Sequence, residues 1–202
     1  MNGLDSFETQ AFDLIRSRAR ETFDLSKEDP RTRERYGKQG LGQQLLLARR
    51  LCEAGVGFVT LHHGGWDMHG QIANNMKALG PQVDHAVAAF LDDIHQRGLD
   101  RDVLLVITGE FGRTPRINGS AGRDHWAPLS TLALAGGGLR MGQVVGESNA
   151  KAEIPKTTPI SPQDLMATVF HVLGLPQDLH YQDPTGRPSP MISGGKPIAE
   201  LV

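Results

Sequence analysis

Six consecutive residues, Val103-Leu104-Leu105-Val106-Ile107-Thr108, limit what this chain can fold into more than any other stretch. The run is uninterrupted, apolar and β-branched, which predicts a strand buried on both faces at the centre of a parallel sheet. Two more runs have strand length: Val56–Leu61, and Leu129–Ala135, which closes on Gly136-Gly137-Gly138. Stripes of helical spacing separate them. One covers Leu4–Leu25 with Phe7, Ala11, Leu14, Ile15 and Ala19, and a second covers Leu41–Ala54 with Leu45, Leu46, Ala48, Arg49 and Cys52, stopped by Gly55. A third starts at Pro81, a residue suited to a first helical turn, and carries Val83, Ala86, Val87, Phe90, Leu91 and Ile94 up to Gly98. Ser161-Pro162-Gln163-Asp164 has the spacing of a capping box and opens a helix with Leu165, Val169, Val172 and Leu173 on its apolar face. The alternation of strands and helices predicts an α/β domain with a mostly parallel sheet.

Composition narrows the function classes. At 202 residues with 39% apolar content, the chain suits one domain or a large part of a bigger one. A net charge of -2 leaves no basic footprint for nucleic acid. In the charged stretch Ser26–Arg35, Arg31, Arg33 and Arg35 alternate with Thr32 and Glu34, a pattern expected of a solvated segment. No apolar run approaches the roughly 18 residues of a membrane span, and the first residues have no basic and apolar pattern of an export signal. The single Cys52 forms no internal disulfide framework. It has no neighbouring His and reads as a small buried hydrophobe rather than a nucleophile.

Polar residues gather where the apolar runs end. Gly64-Gly65-Trp66-Asp67-Met68-His69-Gly70 follows the first run, and Gly109-Glu110-Phe111-Gly112-Arg113-Thr114-Pro115-Arg116 follows the second. Arg123-Asp124-His125-Trp126 lies before the third. In extended backbone residues i and i+2 project to the same side, so Asp67 and His69 can reach one point. Open α/β sheets hold ligands outside the carboxyl ends of their strands, and carboxylates with imidazoles there suit a divalent cation such as zinc or manganese. Asp67, His69, Glu110 and His125 are therefore the candidate metal ligands, with His62 and His63 ranked below them. Arg113, Arg116 and Arg123 share those loops and can clamp an anion bidentately. A plainer reading of the same residues has Asp67 as a helix cap, Arg–Glu pairs as loop staples and Asp124 orienting the ring of His125. His85 and His95 lie off the centre of their helical stripe and read as surface residues.

These motifs resemble domain-of-unknown-function family 1501. The resemblance rests on Gly-Gly-Trp-Asp-Met-His at Gly64–His69, the ten residues Gly109–Asn118, and Gly-Arg-Asp-His-Trp at Gly122–Trp126. It runs from about Gly40 to the C-terminus. The closing Leu173-Gly174-Leu175-Pro176 is similar to the helix ending found in sulfatases. The resemblance implies an alkaline phosphatase-like fold, a three-layer α/β/α arrangement on a mostly parallel sheet, and metal-dependent hydrolysis of phosphate or sulfate esters. By position, Asp67 and His69 look like one metal-binding pair, Glu110 stands where that superfamily has an Asp, and His125 looks like its last metal-binding His. Arg113 and Arg123 would act as catalytic arginines on an anionic small-molecule or glycan ester. Zinc is the leading cofactor, with manganese or calcium as alternatives.

Departures accompany the likeness. The superfamily pair spans Asp-x-x-x-His and here spans Asp-x-His, and Phe111 replaces a ligating His. The superfamily draws its nucleophile from an N-terminal half with no counterpart here. The chain is thus expected to be one domain over 1–202 corresponding to a C-terminal portion, with a helical extension over 1–40 and an irregular tail over 176–202. A sheet cut in this way would offer an open edge to a second copy. The alternative expectation is a non-catalytic relative that uses the same residues for metal binding or for structure.

Overall fold

The computed structural model describes residues 19–38 and 40–202. Most of the expected Leu4–Leu25 helix lies outside those residues, and its described end, α1 (Ala19–Phe23), is helical. In chain order there follow α2 (Pro30–Tyr36), α3 (Leu41–Glu53), α4 (Ile72–Gln96), β1 (Leu104–Ile107), β2 (Gly112–Arg113), β3 (His125–Trp126), β4 (Ala133–Gly136), α5 (Pro162–Val172), β5 (His180–Gln182) and β6 (Pro188–Pro190). The fold divides into two compact units. One holds the described residues up to Trp66 together with Asn74–Arg97, and the other holds Asp67–Ala73 together with Gly98–Val202.

The first unit is helical. Asp29 caps α2 by accepting from the Thr32 amide at 3.0 Å, with Pro30 in the first turn. Gly42 lets α3 approach the end of α2, since a Cβ there would overlap the Tyr36 carbonyl. Leu45, Leu46 and Ala48 on α3 are buried, as are Ala86, Phe90 and Ile94 on α4, all members of the two stripes, while Val83, Val87 and Leu91 are half-buried and Ala89, outside the stripe, is buried. Pro81 lies inside α4 rather than at its start, because the helix begins nine residues earlier, at Ile72.

Charge is buried in this unit as well. Arg49 is only 1% exposed, and its Nη2 lies 2.6 Å from Glu28 Oε2 and its Nη1 2.5 Å from Glu53 Oε2. Its Nε sits 2.9 Å from Asp93 Oδ2, an ion pair without hydrogen-bond alignment. Tyr36 Oη donates to Asp93 Oδ2 at 3.0 Å, and Arg97 donates to both Asp93 and Glu28. The segment expected to be solvated therefore sends Glu28 and Thr32 inward, because Glu28 finds three guanidinium partners there.

The second unit corrects the expected fold class. β1 pairs antiparallel with β4, Leu104 opposite Gly136 and Ile107 opposite Ala133. β2 pairs antiparallel with β3, and β5 with β6. Every sheet among the described residues has two strands, and none is parallel, so the chain is not a three-layer α/β/α fold. The Val56–Leu61 run is not a strand, and Phe58 is 68% exposed. Apolar, β-branched content states that a segment can occupy a pleated surface but does not supply its neighbours. With one partner each, the β1 residues are only half-buried.

α5 carries the expected capping box. The Asp164 amide donates to Ser161 Oγ at 3.2 Å, and the Ser161 amide donates back to Asp164 Oδ2 at 2.8 Å. The same helix holds the chain end, since the Lys196 amide donates to Asp164 Oδ1 at 2.9 Å and the Ile198 amide to Thr168 Oγ1 at 2.9 Å. Within residues 176–202, β5 and β6 form a hairpin, and Ile198 and Leu201 are buried.

Removing Arg49 leaves Glu28 and Asp93 buried without their main counter-charge. Arg49→Leu is expected to lower unfolding free energy by about 3–5 kcal/mol in urea titration. Burial pushes the Glu28 carboxyl up, but hydrogen bonds from Arg49 and Arg50 outweigh it and hold it below the usual range. Its stabilising contribution is therefore complete above the ordinary Glu value of about 4.3 and is lost as pH falls through the lower folded value. Unfolding free energy measured from pH 6 to pH 3 should fall less steeply in Glu28→Gln than in the natural chain.

Candidate metal centre

Two backbone segments make this site, and a glycine sets their distance. Met68–Ile72 runs beside the loop Asn118–Asp124. Arg123 N donates to Met68 O at 3.0 Å, Gln71 N to Ser120 O at 3.0 Å and Ile72 N to Ala121 O at 2.9 Å. At Gly122 a Cβ would overlap the carbonyl group of His69 and the amide of Gly70. Only glycine permits this approach. The β2–β3 pairing adds the third piece by setting Arg113 opposite His125, and Gly112 is needed there because a Cβ would overlap the Leu129 carbonyl.

Asp67 and His69 converge as expected, but through a tight turn rather than extended backbone. His69 N donates to Asp67 O at 3.2 Å, a three-residue closure. Three groups then meet at one carboxylate oxygen. His125 Nε2 is 2.9 Å from Asp67 Oδ1, His69 Nε2 is 3.0 Å away, and Arg113 Nη2 donates to it at 2.7 Å. The two Nε2 atoms are 3.1 Å apart. The bond from His125, followed by that from Arg113, holds the Asp67 carboxyl down to about 2, so it is an anion at any ordinary pH.

On the far side of His69, Nδ1 lies 2.7 Å from Asp124 Oδ1. Asp124 therefore orients His69, rather than the neighbouring His125 that the sequence suggested. Its carboxyl is held below the usual range, first by His69 and then by Asn118. Asn118 is the residue that sequence reasoning missed. Its Oδ1 accepts from the Ser120 and Gly122 amides at 3.0 and 2.9 Å, while its Nδ2 donates to His69 O at 3.0 Å and to Asp124 Oδ1 at 3.1 Å. The signal was present in Asn118-Gly119, since an Asn side chain readily bonds the backbone two residues on.

Other candidates stand elsewhere. Glu110 is exposed in the bend after β1 and is not a member of the Asp67, His69 and His125 group found among the described residues. Phe111 stacks its ring 4.2 Å from that of His125, centroid to centroid, and so fixes the imidazole from the side. Arg123 Nη1 donates to the Thr114 and Pro115 carbonyls, both at 2.6 Å, and closes the loop between β2 and β3. His63 packs edge-on to Trp66 in the first unit.

The ligand atoms of Asp67, His69 and His125 all lie within 4.8 Å of one another. Two imidazole nitrogens and one carboxylate oxygen are a donor set that zinc and manganese accept and that calcium, which takes oxygen ligands, does not favour. A tetrahedral zinc with bonds of about 2.1 Å keeps its ligands roughly 3.4 Å apart. The observed separations of 2.9–3.1 Å need only a few tenths of an ångström of expansion. The residues fit such an ion.

A family model described as "Protein of unknown function (DUF1501)" matches residues 2–202. The match is wider than the stretch from Gly40 onward that carried the motifs. No curated protein and no solved structure matches the chain.

Gly122→Ala should drive the two backbone segments apart and cost about 1–3 kcal/mol of unfolding free energy, the range of an overpacked site. Gly119→Ala, where a Cβ would have nothing within 4 Å, should stay within about 0.5 kcal/mol in the same denaturation series.

Proposed function

The chain belongs to the DUF1501 family, and from that premise we propose that Asp67, His69 and His125 hold a divalent metal of the zinc class that serves hydrolysis of a phosphate or sulfate ester. The observation that carries the reading is the convergence of Oδ1, Nε2 and Nε2 on one point, with a carboxylate on the outer nitrogen of His69. Carboxylate–histidine–metal arrangements of this kind recur around bound zinc. The motif resemblance to the alkaline phosphatase and sulfatase superfamily supports the ester class.

Asp67 Oδ1, His69 Nε2 and His125 Nε2 lie 2.9–3.1 Å from one another, so that one small cation could touch all three. A bound metal would supply that cation, and with it Lewis-acid polarisation of an ester oxygen and a water of lowered pKa. The chain's own residues do the rest. Asp67, His69 and His125 would hold the ion, Phe111 would restrain the His125 ring, and Asp124 that of His69. Arg113, whose Nη2 donates to Asp67 Oδ1 at 2.7 Å and whose Nη1 donates to the Arg123 carbonyl at 3.2 Å, would place a fixed positive charge beside an anionic substrate at the same centre.

A second reading rests on that same Arg113 bond. The guanidinium already neutralises Asp67, so the cluster can serve as an ion-paired pin between the two backbone segments, without turnover. Elemental analysis and hydrolysis assays separate the readings. The first expects about one zinc or manganese per chain, lost in Asp67→Ala and His125→Ala. It also expects turnover of an aryl phosphate or aryl sulfate that a chelator abolishes and added metal restores. Metal binding without turnover of either ester would overturn the hydrolase reading alone, and a folded chain that takes up no added zinc would overturn the metal site and favour the second reading.

A further inference from the structure

The hydrogen bonds around Asn118 determine more than the loop's shape. Its side-chain oxygen accepts from two backbone amides, Ser120 N at 3.0 Å and Gly122 N at 2.9 Å. Backbone N–H groups can only donate, so this end of the amide must be the oxygen, and the opposite orientation is ruled out by the network. Nδ2 consequently faces the His69 carbonyl and Asp124 Oδ1, at 3.0 and 3.1 Å. A carboxylate only accepts, so Asp124 Oδ1 receives one hydrogen from Asn118 and takes a second from its other neighbour, His69 Nδ1, at 2.7 Å. The backbone carbonyl of His69 is tied to the same Asn118 amide, which fixes the ring's base as well as its outer nitrogen.

We infer that Asn118 and Asp124 are positioning residues that keep the hydrogen on His69 Nδ1, so that Nε2 is the atom His69 presents to the Asp67–His125 cluster. The chain of contacts runs from two loop amides through Asn118 and Asp124 to His69, and ends at His125 Nε2 3.1 Å beyond. It explains why an Asn and an Asp six residues apart face one another on an exposed surface, where a hydrogen bond alone adds little stability. The inference rests on the metal reading for its purpose, but the hydrogen's place on His69 can be read without any metal.

The test uses the full chain with ¹⁵N-labelled histidine, assigned by comparison with His69→Gln. Long-range ¹H–¹⁵N spectra distinguish protonated from unprotonated ring nitrogens in the chelator-treated protein and again with zinc added. The expected result is a protonated Nδ1 at His69 in both states. In Asp124→Asn, whose amide can donate to Nδ1, and in Asn118→Ala, that preference should weaken, with zinc bound about 10- to 100-fold more weakly. Asp124→Glu should restore part of the loss, and circular dichroism checks that each variant is folded. An unprotonated Nδ1 in the natural chain overturns the inference, as does an Nδ1 signal unchanged in folded Asp124→Asn. A protonated Nδ1 in a chain that binds no zinc would sustain the inference and defeat the metal reading alone. Zinc binding with Asp124→Asn unaltered would do the reverse.

Discussion

The close approach of Gly122 to the backbone of His69 and Gly70 is the contact on which the candidate centre depends. No side chain can be accommodated between the two segments, and three backbone hydrogen bonds from Arg123, Gln71 and Ile72 fasten them along their length. The approach aligns Asp67 and His69 with the Asn118–His125 loop. Asn118 can then reach the His69 carbonyl, and Asp124 its ring. The β2–β3 pair brings Arg113 and His125 to the same carboxylate oxygen. The candidate side chains come from three places in the sequence, and close backbone approach brings them together.

Electrostatics give that assembly its direction. Asp67 is held as an anion by donors from His125 and Arg113. His69 lies between two carboxylates, Asp124 on Nδ1 and Asp67 near Nε2. The centre is exposed to water, so these pairs add little to folding. Their consequence is orientation, with Asp67 Oδ1 and the two Nε2 atoms held about 3 Å from one another.

The helical unit places its charges under different conditions. Arg49, Glu28 and Asp93 are buried, and removing one of them would leave the others short of counter-charge in a medium that solvates them poorly. The network joins α2's flank, α3 and α4 through Arg49, Tyr36 and Arg97. A sequence reader sees alternating charge in Ser26–Arg35 and assigns it to solvent. Burial of Glu28 follows from partners 21 and 69 residues away, which local patterning cannot reveal.

Local chemistry was legible in the sequence. The capping box at Ser161–Asp164 and much of the buried faces of α3 and α4 follow from short-range spacing, and Asp67 with His69 is a pair written within three consecutive residues. Sheet architecture was not. Val103–Ile107 reads as a central parallel strand, yet tertiary structure gives it one antiparallel neighbour in β4, and Val56–Leu61 none among the described residues. Periodicity reports which face of an element is apolar, whereas strand order and direction depend on contacts between segments far apart in the chain. The same limit separated Glu110 from the cluster and concealed Asn118, whose partners are set by the loop's closure at Gly122. The sequence alone determined which residues are of the types that can ligate a metal. Only the tertiary structure decided which of them meet, because convergence to within 3 Å is a property of how the backbone closes.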